Sequence, residues 1–155
     1  MSQLSIGEEA PDFELQDADA RSYRLSEALT RGPVALVFYK SGCPTCQFTF
    51  PHIQRMFSQA GKTAGWTLWG ISEDEPEQTR RFAKQFGITF DLLIDEHPYA
   101  VSAAYGLEFV PAMFRIERGG IVAGSAFGFT KAGLNQIAGF EFFTAKDGLP
   151  ATRPG

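Results

Sequence analysis

Apolar residues fall in short runs and alternations, punctuated by Gly, Pro and charged residues, as strands and helices taken in turn require. Pro33-Val34-Ala35-Leu36-Val37-Phe38-Tyr39 is continuously apolar, the pattern of a strand covered on both faces. Next, Cys46, Phe50, Ile53, Phe57 and Ala60 recur at spacings of four, three, four and three, which marks one face of a helix running to about Ala60. Trp66–Ile71 predicts a second strand. Pro76 in a first turn, Phe82 and Phe86 on one face and Gly87 after them predict another helix. Phe90–Ile94 predicts a short strand, and Pro98–Tyr105 a short helix stopped by Gly106. Ala112–Ile116 and Ile121–Phe127 predict strands joined through Arg118-Gly119-Gly120. Thr130 is placed to cap a last helix over Lys131–Phe140, which Gly133 and Gly139 weaken. Upstream, Asp12–Leu15 and Ser22–Leu25 predict a hairpin, with a helical turn at Ser26–Leu29. Together these give an α/β domain with a central mixed sheet flanked by helices. Its leading strands are parallel and its last pair antiparallel. The domain spans residues 1–149, and 150–155 are expected to form a flexible tail.

With 155 residues, one domain can bury a core without staples. The 15 Phe residues belong mostly to that core. The net charge of −4 without a basic run argues against a nucleic-acid partner. No stretch reaches the roughly 18–20 apolar residues of a membrane span. Met1–Glu9 lacks the basic start and apolar segment of a signal peptide, so a cytoplasmic protein is expected. The alternative is an exported one whose leader has been removed. The expected state is a monomer.

The two cysteines stand in Cys43-Pro44-Thr45-Cys46. A disulfide closing so short a loop removes little entropy from the unfolded chain, so a stabilising staple is a poor explanation. Half of a zinc site is another reading, but zinc wants about four ligands, and neither His52 nor His97 sits in a second closely spaced pair. A redox dithiol fits better, because the motif falls between a strand and a helix. A helix N-terminus favours an anion, and thiolate is the attacking species in disulfide exchange. Cys43 is therefore the expected nucleophile. Cys46, one turn in and on the apolar face, is the expected resolving thiol. Pro44 suits the first turn. Lys40 reads as a solvated strand-end lysine. Val110-Pro111 reads either as an ordinary proline at a strand edge or as a cis-proline.

These features resemble the thioredoxin superfamily, specifically its redoxin branch of alkyl hydroperoxide reductase/thiol-specific antioxidant proteins and cytochrome-maturation thioredoxin-like proteins. Gly7-Glu8-Glu9-Ala10-Pro11-Asp12-Phe13 is similar to the branch's opening motif. Val37-Phe38-Tyr39, the cysteine motif and Val110-Pro111-Ala112-Met113-Phe114 follow in family order. Pro51 matches the proline that kinks the same helix in thioredoxins, and the segment from about Glu75 to Tyr105 resembles the strand-helix unit this branch inserts. The resemblance implies a thioredoxin fold and a thiol–disulfide oxidoreductase that reduces protein disulfides without a cofactor or metal. An upstream thiol would supply its electrons. It also implies that Pro111 is a cis-proline facing the dithiol and that Val110 offers its backbone to an extended peptide. Gly42, Pro44 and Thr45 complete the expected contact surface. Two positions depart from the pattern. Val37 stands where thioredoxins carry a buried Asp, and Thr49 where cytochrome-maturation relatives carry a Glu. Water, Thr49 or a carboxylate distant in sequence is left to take the proton of Cys46.

Three rival functions follow from other features. Peroxiredoxins align their peroxide-reactive cysteine with Cys46, but Cys43 replaces their Thr and Pro111 occupies the place of their Arg. Arg115 lies in the following strand. A Sco-type copper chaperone would need His52 or His97 beside the soft thiolates. A binding module with incidental cysteines is not supported by Trp66, Trp69 or the Phe residues, whose spacing is that of core positions.

Overall fold

A computed structural model describes residues 2–60 and 65–154, apart from the side chain of Ala60. Its main sheet has seven strands in the order β2-β1-β5-β4-β3-β6-β7. The hairpin β1 (Glu14–Asp17) and β2 (Ser22–Arg24) leads into α1 (Leu25–Leu29). Then come β3 (Val34–Tyr39), α2 (Pro44–Ala60), β4 (Thr67–Ser72) and α3 (Pro76–Phe86). They are followed by β5 (Asp91–Ile94), α4 (Ala100–Ala104), β6 (Ala112–Ile116) and β7 (Val122–Phe127). β3, β4 and β5 run parallel, whereas β6 and β7 are antiparallel additions and β1 pairs antiparallel with β5. This is a thioredoxin fold.

The continuous apolar run of β3 has its expected cause. Ala35, Val37 and Tyr39 enter one core cluster, and Val34, Leu36 and Phe38 enter the other. Alternate side chains of one strand thus serve both faces of the sheet. The first cluster contains Cys46, Phe50, Ile53 and Met56 of α2. Met56 is buried where the helical spacing pointed to Phe57, which is half-buried.

Chain punctuation explains the helix ends. Glu75 and Gln78 form a reciprocal capping box at the start of α3, and Gly87 closes it in the left-handed region at φ 64°, where a Cβ would be strained. α5 (Lys131–Ala138) is shorter than expected because Gly139, at φ 81°, ends it. Thr130 caps it by accepting the Gly133 N–H. α4 begins at Ala100 rather than Pro98, since Asp95 accepts the Ser102 N–H and hydroxyl, both at 2.8 Å.

The tail departs from expectation. Thr152–Arg153 forms β9, which pairs antiparallel with β8 (Phe129–Thr130). Three contacts hold it: Lys131 N–H donates to Ala151 O, the Arg153 guanidinium lies 4.7 Å from the Phe48 ring centroid, and the Thr45 hydroxyl donates to Pro154 O at 2.5 Å. Composition alone concealed these long-range partners.

Candidate active site

The cysteine motif sits where β3 ends and α2 begins. Lys40 O accepts the Cys43 N–H at 3.1 Å, and Cys43 O accepts the Gln47 N–H at 3.0 Å. The residue ahead of Pro44 is therefore both the end of a turn and the first helical acceptor. The Gln47 amide ties back to Ser41 O at 2.8 Å, which fixes the loop preceding the motif. Both cysteines are free thiols, Cys43 partly exposed and Cys46 buried.

Sγ of Cys43 accepts the Cys46 N–H at 3.3 Å, as a sulfur at a helix start should. Its own proton points to Val110 O at 3.7 Å. The Val110–Pro111 bond is cis, and Gly128 N–H donates to Pro111 O at 2.8 Å. Cys43, Cys46 and Val110 thus meet around one sulfur. Pro44 is exposed on the rim, while Thr45 is buried and turned to the tail. Gly42 is exposed and opens toward Arg81 and Gln85 of α3.

Cys46 is 0% exposed. Burial first, and its hydrogen bond with Cys43 second, push its thiol well above the ordinary range; the charge of Asp74 acts in the same direction. Val37, 1% exposed, belongs to the same buried cluster as Cys46. The Thr49 hydroxyl donates to Thr45 O at 2.6 Å, one turn back on the same helix. The carboxylate whose field reaches Cys46 is Asp74, held by the Ser41 N–H at 2.9 Å. Nothing in its local sequence, an acidic loop after β4, distinguished Asp74 from an ordinary solvated group.

The histidines have other company. His52 is caged by Phe48, Phe129 and Phe143, with Arg55 at 3.1 Å from its Nδ1. His97 packs against Tyr99. Among the described residues no group of three Cys, His, Asp or Glu could hold a metal. Arg115 is committed too. Its guanidinium donates to Ile137 O and Ala138 O at 3.1 and 3.0 Å and pairs with Glu117, so it caps the end of α5.

A strand-to-helix dithiol facing a cis-proline loop on this fold defines a thiol–disulfide oxidoreductase of the thioredoxin superfamily. The family can be stated more narrowly. The sequence profile of the AhpC/TSA family matches residues 6–125, and the chain belongs to that family. It is 32% identical over 133 residues to the thiol-disulfide oxidoreductase ResA of Halalkalibacterium halodurans, covering 84% of this chain and 74% of the relative. A putative protein disulfide isomerase from Bacteroides thetaiotaomicron superposes with a TM-score of 0.73 at 30% identity, over 82% of this chain and 83% of that one. Peroxidoxin BcpB from Mycobacterium tuberculosis gives 0.70 at 25%, over 82% and 86%. No helix among the described residues is long and apolar enough to cross a membrane.

Proposed function

We propose that the protein reduces disulfides in polypeptide partners, with Cys43 attacking and Cys46 resolving. The observation that carries this is the asymmetry of the pair: Cys43 is accessible at a helix start, and its backbone-bonded neighbour Cys46 is sealed from solvent. The Cys43 thiolate attacks one sulfur of the partner's S–S bond. That bond breaks, the second partner sulfur leaves as a thiolate, and water supplies its proton. Cys46 then loses its proton and attacks Sγ of Cys43, releasing the first partner sulfur. Two electrons and two protons have moved from the dithiol to the partner, and an upstream thiol restores the dithiol. Val110, Pro111, Pro44 and Gly42 form the contact surface. A reducing compartment such as the cytoplasm favours this direction.

Reduction of insulin disulfides tests the reading. Cys43→Ser should abolish turnover, and Cys46→Ser should accumulate a mixed disulfide visible as a mass shift. Full turnover by Cys43→Ser overturns the mechanism. The likeness to a peroxidoxin makes peroxide reduction the second reading. Peroxide consumption that needs Cys46 but not Cys43 would favour it, although the burial of Cys46 and the engagement of Arg115 oppose it.

A further inference from the structure

A cavity of about 320 Å³ is lined by Lys40 and Val110, the two residues whose carbonyls face the reactive cysteine. Its apolar lining includes Phe38 and Ile71 at the ends of β3 and β4, Leu107, and Ala103 of α4. Val110, whose carbonyl faces Cys43, forms the edge nearest the dithiol. This volume is at the small end of the roughly 300–1,000 Å³ of ligand sites, the size for one large side chain. Beside it Phe109 and Phe127 stack with centroids 5.6 Å apart. They are 55% and 57% exposed, although most Phe residues of the chain are buried or half-buried. An exposed aromatic pair at the lip of a partly apolar cavity offers an anchor surface, since large apolar groups left in water mark contact sites.

The rim has one dominant sign. Glu73 and Glu108 line the cavity, and Asp74, Glu75 and Glu96 surround the groove that continues from Glu73 and Tyr99. Among the described residues none of these five carboxylates is in an ion pair, although Arg21, Arg24, Arg80, Arg81, Arg115 and Lys131 all are. Among the described residues Lys40 is the single cation in the lining. Unpaired charge of one sign beside a low-dielectric cleft focuses the field on an approaching partner.

We propose that this face selects polypeptide disulfides flanked by basic residues and by an aromatic side chain, the aromatic filling the cavity while the basic groups meet Glu73 and Glu108. The inference rests on the oxidoreductase reading and narrows its substrate class. One peptide can engage both features at once, because the cavity and the acidic groove share Glu73 and Tyr99.

The test follows oxidation of the pre-reduced full chain by four disulfide peptides, with Trp or Ala beside the cysteine and Lys or Glu flanks. At low salt the Trp–Lys peptide should react about tenfold or more faster than the Ala–Glu peptide. Raising the salt to about 0.5 M should erase the Lys preference and leave the Trp preference. Glu73→Lys combined with Glu108→Lys should abolish the charge preference. Ala103→Trp, at an exposed helix position on the cavity wall, should remove the preference for Trp. Equal rates for all four peptides, or preferences that survive both variants, overturn the proposal and leave the oxidoreductase reading intact. If neither the peptides nor hydroxyethyl disulfide oxidise the wild-type protein, the oxidoreductase reading itself fails and takes this inference with it.

Discussion

Release of a partner should be governed by how seldom Cys46 ionises. Its side chain is fully enclosed among Val37, Tyr39 and Phe50, and burial pushes its thiol above the ordinary range. Below that value the thiolate fraction rises about tenfold per pH unit, so resolution should quicken about a hundredfold between pH 6 and 8. The greater nucleophilicity of a high-pKa thiolate raises the absolute rate without changing this slope. Ellman's reagent separates the steps: attack by Cys43 releases one coloured thiolate, and attack by Cys46 releases the second. The second phase should show the slope, and Cys46→Ser should lack that phase. Asp74→Asn removes a negative charge that raises the Cys46 thiol, so the whole rise should move to lower pH. A second phase flat across pH 6–8, or a rise moved to higher pH by Asp74→Asn, would refute the electrostatic argument.

Further expectations concern the scaffold. Phe50, 0% exposed and packed on Tyr39, Phe82 and Phe90, should cost about 3–5 kcal/mol when truncated to Ala, read from urea unfolding. Thr45→Val removes the bond to Pro154 O. It should cost about 1 kcal/mol locally and speed exchange of the Lys131 amide hydrogen, which is protected by Ala151 O. Burial, then Arg55, hold His52 below its ordinary 6.5, so the unfolded chain takes the proton more readily. The His52 contribution should be complete above that value and fall as pH drops through it. A pH series of unfolding midpoints should show this slope, and His52→Gln should flatten it.

The parts of the fold that local chemistry dictates were legible in the sequence. The unbroken apolar run of β3, the turn at Gly87 and the cap at Thr130 each carry their own cause, and each lies within a residue or two of its expected place. The dithiol was legible because its spacing and its position between strand and helix are both short-range facts. What escaped depends on distant partners. Two-residue strands such as β8 and β9 have no periodicity to read, and they exist because Thr45 and Phe48 of α2 receive the segment. The influence of Asp74 on Cys46 is likewise a meeting of separate loops. Arg115 could be placed on a strand but not aimed, since the helix carbonyls it serves lie more than twenty residues away.

The seating of residues 152–154 beside the motif has a practical consequence. Anything joined after them begins its path next to Thr45, so an affinity handle there would crowd the sulfurs during purification and assay. The same geometry suits a fluorescent or spin label, because a probe on Arg153→Cys in a Cys43→Ser/Cys46→Ser background would sit on the shoulder of the motif and register a visitor's arrival.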